Sequence, residues 1–292
     1  MNAAKPTLVY IAGDGRSGSS LLSSLLNTAE DTFFVGESYR FWNRYYAEKP
    51  SLCGCGTHLP ECPFWNQVHQ GLQNRYPNYS GPKIWEQLQF LLRYQNAKKL
   101  PQLLKEPHWE SFLNCISYFY ELLFSISKAS VLIDSSKNMG WLLLLQQIQL
   151  PQDLQVIFLK RDLLAVANSW KKEVRLPEFE DGSTFMPQKS NWEILKARFK
   201  INSLSKCVSK NSSVQRVAYE EFIANPKETL QKLEALLGIT LHDRAQPHHA
   251  IGGNPMLFGL KPNTPIVISK PNRRYENLSL MDRLFFACFR YL

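Results

Sequence analysis

Apolar residues along this chain follow two rhythms. Short apolar runs occupy residues 7–12, 131–133 and 156–159, and residues 213–218, interrupted by Gln215 and Arg216, behave likewise; each leads into polar residues and then a helical pattern. Runs of this length suit strands of a parallel sheet that is covered on both faces. After the first run, residues 19–27 carry leucines at 21, 22, 25 and 26, the stripe of a helix packed on one side. Asn225-Pro226-Lys227-Glu228 reads as a helix start, with a capping side chain, a proline at the first helical position and an early carboxylate. That helix should run through Leu237 and Gly238. Ser190 and Glu193 have capping-box spacing for a helix to about Lys206. The alternation predicts one α/β domain over residues 1–292, built on a doubly wound parallel sheet.

Between residues 39 and 130 the alternation stops. Helices are expected at 64–75, 84–98 and 109–127, rich in aromatics and interrupted by Pro and Gly. They read as a helical cap insertion over the sheet. Trp42, Tyr45, Tyr46, Trp65, Trp85 and Trp109 within it suggest either an apolar or sugar-stacking surface or, more simply, core. The stretch 280–292 is apolar on nearly every side, which fits a buried terminal helix or, alternatively, a peripheral membrane contact. No repeat or low-complexity segment interrupts the chain.

Composition narrows the class. With 44% hydrophobic and 20% charged residues, the chain is neither disordered nor fibrous. Its apolar runs fall far short of the ~20 residues of a membrane span, and residues 1–6 lack a secretory pattern. A cytoplasmic protein is expected. A net charge of +9 favours anionic partners without choosing among nucleotides, sulfated molecules, nucleic acid or lipid headgroups. Lys and Arg are spread along the chain with no basic stripe, so nucleic acid is not expected. Six cysteines are too few for a disulfide scaffold. Three of them, Cys53, Cys55 and Cys62, lie within ten residues, with His58 or His69 as an imaginable fourth ligand, but the paired C-x-x-C spacing of zinc ribbons is absent. No metal is expected, and the segment reads as part of the cap.

Gly13-Asp14-Gly15-Arg16-Ser17-Gly18-Ser19-Ser20 joins the first predicted strand to the first predicted helix. Backbone N–H groups and a helix N-terminus at such a turn cradle an anion. Its glycine spacing is P-loop-type, yet Ser19 stands where a nucleotide-triphosphate loop has Lys, and the cation is Arg16. The loop resembles that of the sulfotransferases that use 3′-phosphoadenosine 5′-phosphosulfate, where Gly15, Arg16, Ser17, Gly18, Ser19 and Ser20 would hold the 5′-phosphosulfate. A second family signature, a strand followed by Arg-Asp and then a Ser in the next helix, is matched by residues 156–162 and Ser169. The resemblance implies that Arg161 and Ser169 bind the 3′-phosphate. Eight residues of helix leave the two ~80° and ~12 Å apart, a gap an Arg side chain largely closes. Asp162 suits the N-cap.

Four further segments extend the likeness, toward the bacterial and tyrosylprotein-type branch. Gly36-Glu37 is similar to a Gly-Glu whose carboxylate is the base. Asp134-Ser135-Ser136-Lys137 is similar to a segment whose Lys faces the transferred group. Tyr219-Glu220-Glu221-Phe222 resembles the segment whose Tyr approaches the adenine. The stretch 249–255, with Gly253 and Asn254, resembles a late loop that closes on the nucleotide, although Leu257 replaces an expected Arg. Read without the family, Lys137 equally fits a surface lysine, Tyr219 sheet-edge packing and Glu37 a solvated or capping carboxylate.

Sulfuryl transfer needs a base, cations at the developing charge and in-line alignment. Glu37, Arg16 and Lys137 are the candidates, with His108 a rival base. A sulfuryl group carries less negative charge than a phosphoryl group, so protein cations can stand in for Mg²⁺. The expected donor is 3′-phosphoadenosine 5′-phosphosulfate, bound in two pockets that grip its opposite ends. The acceptor could be a glycan, lipid, peptide or small molecule, and the oligomeric state is not legible. Two rival readings remain: a P-loop kinase or ATPase with Asp134 on Mg²⁺, and a non-catalytic anion or nucleic-acid binder.

Overall fold

The computed structural model describes residues 5–179, 184–208, 214–252, 257–258, 261–269 and 275–289. Five strands, β1 (Thr7–Gly13), β2 (Thr32–Gly36), β3 (Val131–Lys137), β4 (Asp153–Lys160) and β5 (Val214–Ala218), form a sheet in the order β2-β3-β1-β4-β5. Every pairing is parallel. The four predicted runs fall on β1, β3, β4 and β5, with Ser213 outside the described residues. β2 is an addition: its apolar residues 33–35 form a run no shorter than 131–133, but with no helical pattern of the predicted kind after them they read only as the lead-in to Gly36-Glu37.

Alternation along β1 explains why its run must be unbroken. Leu8, Tyr10 and Ala12 enter one core with the cap aromatics, whereas Val9 and Ile11 enter another with Leu22, Leu25 and Leu26 of α1 (Ser19–Leu26). Both faces are dry, so neither parity tolerates a polar side chain. From β1 the chain turns outward to β2, and from β4 it turns the other way to β5. Adjacent strands whose connections diverge open a crevice at their carboxyl ends, here between β1 and β4.

The cap comprises α2 (Phe41–Arg44), α3 (Pro63–Arg75), α4 (Gly81–Leu91), α5 (Tyr94–Ala97), α6 (Leu100–Leu103) and α7 (Glu110–Ser127). The single helix expected over 84–98 is two, broken where Arg93 adopts extended geometry (ψ 136°). The break lets Leu92, Arg93 and Tyr94 line the central cavity. Trp42, Tyr45, Trp65 and Trp109 are buried with Leu8, Tyr10 and Leu132. Cap and sheet thus share one core, and these four aromatics belong to it instead of offering a stacking surface.

Remaining elements are α8 (Met139–Leu145), α9 (Leu163–Lys171), α10 (Asn191–Val208), α11 (Tyr219–Ala224) and α12 (Pro226–Leu237). The Ser190–Glu193 capping box forms, with Ser190 N–H donating to Glu193 Oε2 at 2.8 Å. Asn225 makes no side-chain capping bond, so α12 starts on Pro226 alone and ends on Gly238 in the left-handed region. The helix Leu280–Ala287 buries Phe286 but exposes Leu280, Met281 and Leu284, so the expected burial is one-sided. Among the described residues, no helix is long and apolar enough to cross a membrane.

Candidate active site

A parallel sheet places all its strand carboxyl ends along one edge. The β1 loop, Glu37, Lys137, Arg161 and Tyr219 follow or end the five strands, so positions far apart in sequence converge there. Gly13 enters the loop with φ 140°, and a Cβ on it would lie 2.2 Å from the Leu159 carbonyl oxygen of β4. Only glycine lets β1 turn this close to its neighbour. Arg16 (φ 70°) and Gly18 (φ 96°) are both left-handed, and Gly18 leads into α1. Successive left-handed turns before a helix aim backbone N–H groups into one concavity.

Arg16 Nε donates to Ser169 Oγ at 3.0 Å, and Arg161 Nη1 donates to the Arg16 carbonyl oxygen at 2.9 Å. The Arg161 guanidinium lies 4.3 Å over the Tyr219 ring, and that ring packs on Gly18. Asp162 caps α9, its Oδ2 accepting from Ala165 N–H at 2.9 Å. Both signatures therefore meet in one hydrogen-bonded cluster. The two expected pockets are not separate here, because Arg16 itself bridges the loop to α9. Burial first, then the neighbouring Arg161, lowers the pKa of Arg16. Ser17 Oγ and Arg161 Nε are buried without a hydrogen-bond partner. Paired cations and spare donors suit an anion rich in acceptor oxygens.

Behind the loop, Asp14 Oδ1 accepts from Arg198 Nε at 3.0 Å, and Arg198 Nη2 donates to the Arg161 carbonyl oxygen at 2.7 Å. Both side chains are buried. Arg198 thereby ties the first loop to the second from α10, a role that no sequence signal marks.

A cavity of about 790 Å³ opens in front of the loop. Gly15, Arg16, Gly18, Ser19 and Ser20 form one wall, and Glu37, Lys137 and Asn138 form another. Glu37 Oε1 accepts from Lys137 Nζ at 2.8 Å, while Oε2 accepts from Arg40 Nε. Burial alone would raise the Glu37 pKa, but the two cations outweigh it and bring the carboxyl down to about 2. Arg40, Arg44, Lys189 and Lys200 also line the cavity. Sequence reading missed them because isolated basic residues look like solvated surface until the fold turns them inward. Trp170 covers Gly15 and carries Lys189 Nζ 3.7 Å from its ring centre.

Arg161, Ser169 and Tyr219 back the loop and do not line this cavity. His108 is exposed and lines a different cavity with Arg75, Tyr79 and Phe112. It does not share the space in front of Arg16, so the rival base is displaced by geometry. Asp134 is fully buried, accepting from Tyr120 Oη at 2.7 Å, Ser136 N–H at 2.8 Å and Ser38 Oγ. Its carboxylate is consumed inside the core and offers no open position for Mg²⁺. It anchors Ser38 and Ser136, the neighbours of Glu37 and Lys137.

Gly253 and Asn254 lie outside the described residues. The preceding segment runs beside β2: Ile251 N–H donates to the Val35 carbonyl at 3.0 Å, and Glu37 N–H donates to the Ile251 carbonyl at 2.9 Å. Leu257, which replaces the expected Arg, is buried in the core. Of the imagined fourth ligands for the cysteines, His58 Nδ1 meets the Pro50 carbonyl and His69 Nδ1 meets the Tyr46 hydroxyl. The group that joins Cys53, Cys55 and Cys62 is instead His249. The absent C-x-x-C spacing, one ground for expecting no metal at these cysteines, carries no information about a ligand arriving from residue 249.

An all-parallel, doubly wound sheet with a glycine-bent anion loop after its first strand is the P-loop-type arrangement. The sulfotransferase family profile matches residues 6–243, most of the chain. The protein belongs to the sulfotransferase family and is a transferase of that class. Among solved structures, the sulfotransferase domain of the Synechococcus PCC 7002 olefin synthase aligns over 100% of this chain and 97% of its own, at 16% identity and TM-score 0.45. Sulfotransferase STF1 from Mycobacterium tuberculosis H37Rv aligns over 82% and 69%, at 14% and 0.44. A sulfotransferase from Alicyclobacillus acidocaldarius aligns over 87% and 89%, at 13% and 0.41. No curated protein matches significantly.

Proposed function

We propose that the protein transfers the sulfuryl group of 3′-phosphoadenosine 5′-phosphosulfate to an acceptor hydroxyl or amine. The observation that carries this reading is the Arg16–Arg161–Ser169 cluster, set directly behind a cavity whose facing wall holds Glu37 and Lys137. The loop backbone, Arg16 and Ser17 to Ser20 would hold the 5′-phosphosulfate, and Arg161 with Ser169 the 3′-phosphate. In this arrangement Arg16 Nε would exchange its bond to Ser169 for one to a donor oxygen. Tyr219 stacks under Arg161 and positions it.

Glu37 would accept the acceptor's proton as the new bond to sulfur forms. At a pKa of about 2 it is ionised but weakly basic, because Lys137 and Arg40 hold its charge. A negatively charged donor in the cavity competes for Lys137, and loosening that ion pair raises the basicity of Glu37 where it is needed. Lys137 is then positioned to neutralise the bridging oxygen as the sulfur–oxygen bond breaks and 3′-phosphoadenosine 5′-phosphate leaves. No step in this scheme calls on a metal.

The test is calorimetric titration of wild type and Arg161→Ala with 3′-phosphoadenosine 5′-phosphate, followed by an acceptor screen with labelled donor covering glycan, lipid, peptide and small-molecule hydroxyls. Micromolar binding lost in the variant supports the reading. Binding of Mg²⁺-ATP with no affinity for 3′-phosphoadenosine 5′-phosphate overturns it.

A further inference from the structure

Cys53, Cys55, Cys62 and His249 bring one potential ligand atom each within 4.8 Å of one another. Cys62 Sγ lies 3.6 Å from both Cys53 Sγ and Cys55 Sγ, and His249 Nδ1 lies 3.7 Å from Cys53 Sγ and 3.1 Å from Cys62 Sγ. A tetrahedral zinc, with Zn–S of ~2.3 Å and Zn–N of ~2.0 Å, holds its sulfurs roughly 3.8 Å apart and each sulfur roughly 3.5 Å from the nitrogen. Four of the six separations are thus close to the edges of such a tetrahedron, and all six lie within 4.8 Å. An iron–sulfur cluster spreads its ligands further, since irons and sulfides stand between them. A disulfide requires sulfurs at ~2.05 Å, and Cys62 is equidistant from its two neighbours, so the geometry selects no pair.

The surroundings also fit a ligand shell. His249 is stacked against Phe33 (5.7 Å, 17°) and Phe64 (5.3 Å, 27°), and its carbonyl accepts from Trp65 Nε1 at 2.7 Å. These contacts hold the imidazole with Nδ1 toward the thiols, as outer-shell partners do in metal sites. Cys53 is linked to Thr57 by a tight turn, with Cys53 N–H donating to the Thr57 carbonyl at 2.8 Å. Cys53 and Cys62 are buried and Cys55 is exposed, so an ion here would be held at the protein edge, within reach of a chelator.

We infer that these four residues form a closed structural site for one zinc ion, bound through three thiolate sulfurs and the His249 Nδ1. Four protein ligands leave no position for water or substrate, so the site builds structure instead of performing chemistry. Its position indicates what it builds. Cys53 and Gly36 both pair with Ile251, and Ile251 accepts the N–H of Glu37. The ion would clamp the 53–62 loop and the 249–252 segment together behind the end of β2, which sets the backbone of Glu37. The zinc assignment itself does not depend on what Glu37 does.

The test is metal analysis of the full chain purified under reducing conditions without chelator. About one zinc per chain is expected. Cys55→Ser and His249→Ala should each lower zinc content at least about fivefold, while His58→Ala and Cys288→Ser retain it. In case the variants fold poorly, wild type reconstituted with Co²⁺ should show tetrahedral visible bands and a thiolate charge-transfer band, and chelation should lower its melting temperature. The assignment is overturned by wild-type protein that takes up neither metal, by a disulfide from Cys62 to Cys53 or Cys55, or by unchanged zinc in both ligand variants.

Discussion

The two walls of the cavity manage charge in opposite ways. At the loop wall Arg16 has Arg161 beside it from behind, and among the described residues the two guanidinium groups donate to a hydroxyl and a carbonyl. On the facing wall Glu37 sits between Lys137 and Arg40 and is neutralised within the protein. A pair of like charges held in a fold is stable chiefly when something else supplies the counter-charge, whereas an ion pair is complete by itself. Under the proposed function the first wall would take its counter-charge from a ligand, and the second would be perturbed by one.

The sharpest way to break this contrast is Glu37→Gln. Removing the base should lower kcat by roughly 10²- to 10⁴-fold with little change in affinity for 3′-phosphoadenosine 5′-phosphate, measured by turnover and calorimetry on the same protein. Full turnover would mean that the facing wall is structural. On the loop wall, Arg161→Ala should weaken that ligand by roughly 10- to 100-fold, the value of charge-assisted hydrogen bonds to one phosphate. An affinity within twofold of wild type would detach the second signature from binding.

Smaller effects sharpen the comparison through stability. At about a hundredfold excess over Kd the ligand should stabilise wild type by about 2.7 kcal/mol, a rise in melting temperature of roughly 4–5 °C for a chain of this size. Arg16→Ala should lose most of that rise, because the counter-charge then has less to relieve. The facing wall should respond to pH instead. The Glu37 carboxyl lies at about 2, below its ordinary 4.5, so the unfolded chain binds more protons between those values. Its contribution is complete above about 4.5 and is lost as pH falls toward 2. Acid denaturation of Glu37→Gln should show a shallower loss over that window, and an identical slope would mean the ion pairs add nothing.

Much of the site was legible because parallel sheets keep their chemistry next to strand ends. A reader who finds an unbroken apolar run can look immediately after it, and Arg16, Lys137 and Arg161 are found this way. Glu37 enters through the resemblance of Gly36-Glu37 to the family's Gly-Glu, although the strand before it is not among the predicted runs. The cavity's other cations, Arg40, Arg44, Lys189 and Lys200, were not legible. A basic residue on a helix or loop looks the same whether it faces solvent or the cavity, and only the tertiary packing of the elements that carry these four turns them inward. The helix Leu280–Ala287 misled for a related reason: its Ser279–Asp282 capping box and apolar content fix that it forms, but not how much of its circumference finds a partner.

Local physics accounts for what the sequence alone determined. Unbroken apolar runs specify buried strands, glycines specify the left-handed turns of the anion loop, and Asp162 and Ser190 specify where helices begin, each through neighbours a few positions away. Tertiary structure alone decided that Arg161 grips the Arg16 carbonyl, that Arg198 closes on Asp14, and that His249 completes the group of cysteines. Those partners are 145, 184 and up to 196 positions apart. No short-range preference reports a meeting at that distance, because it depends on how both faces of the sheet and its four crossovers pack at once.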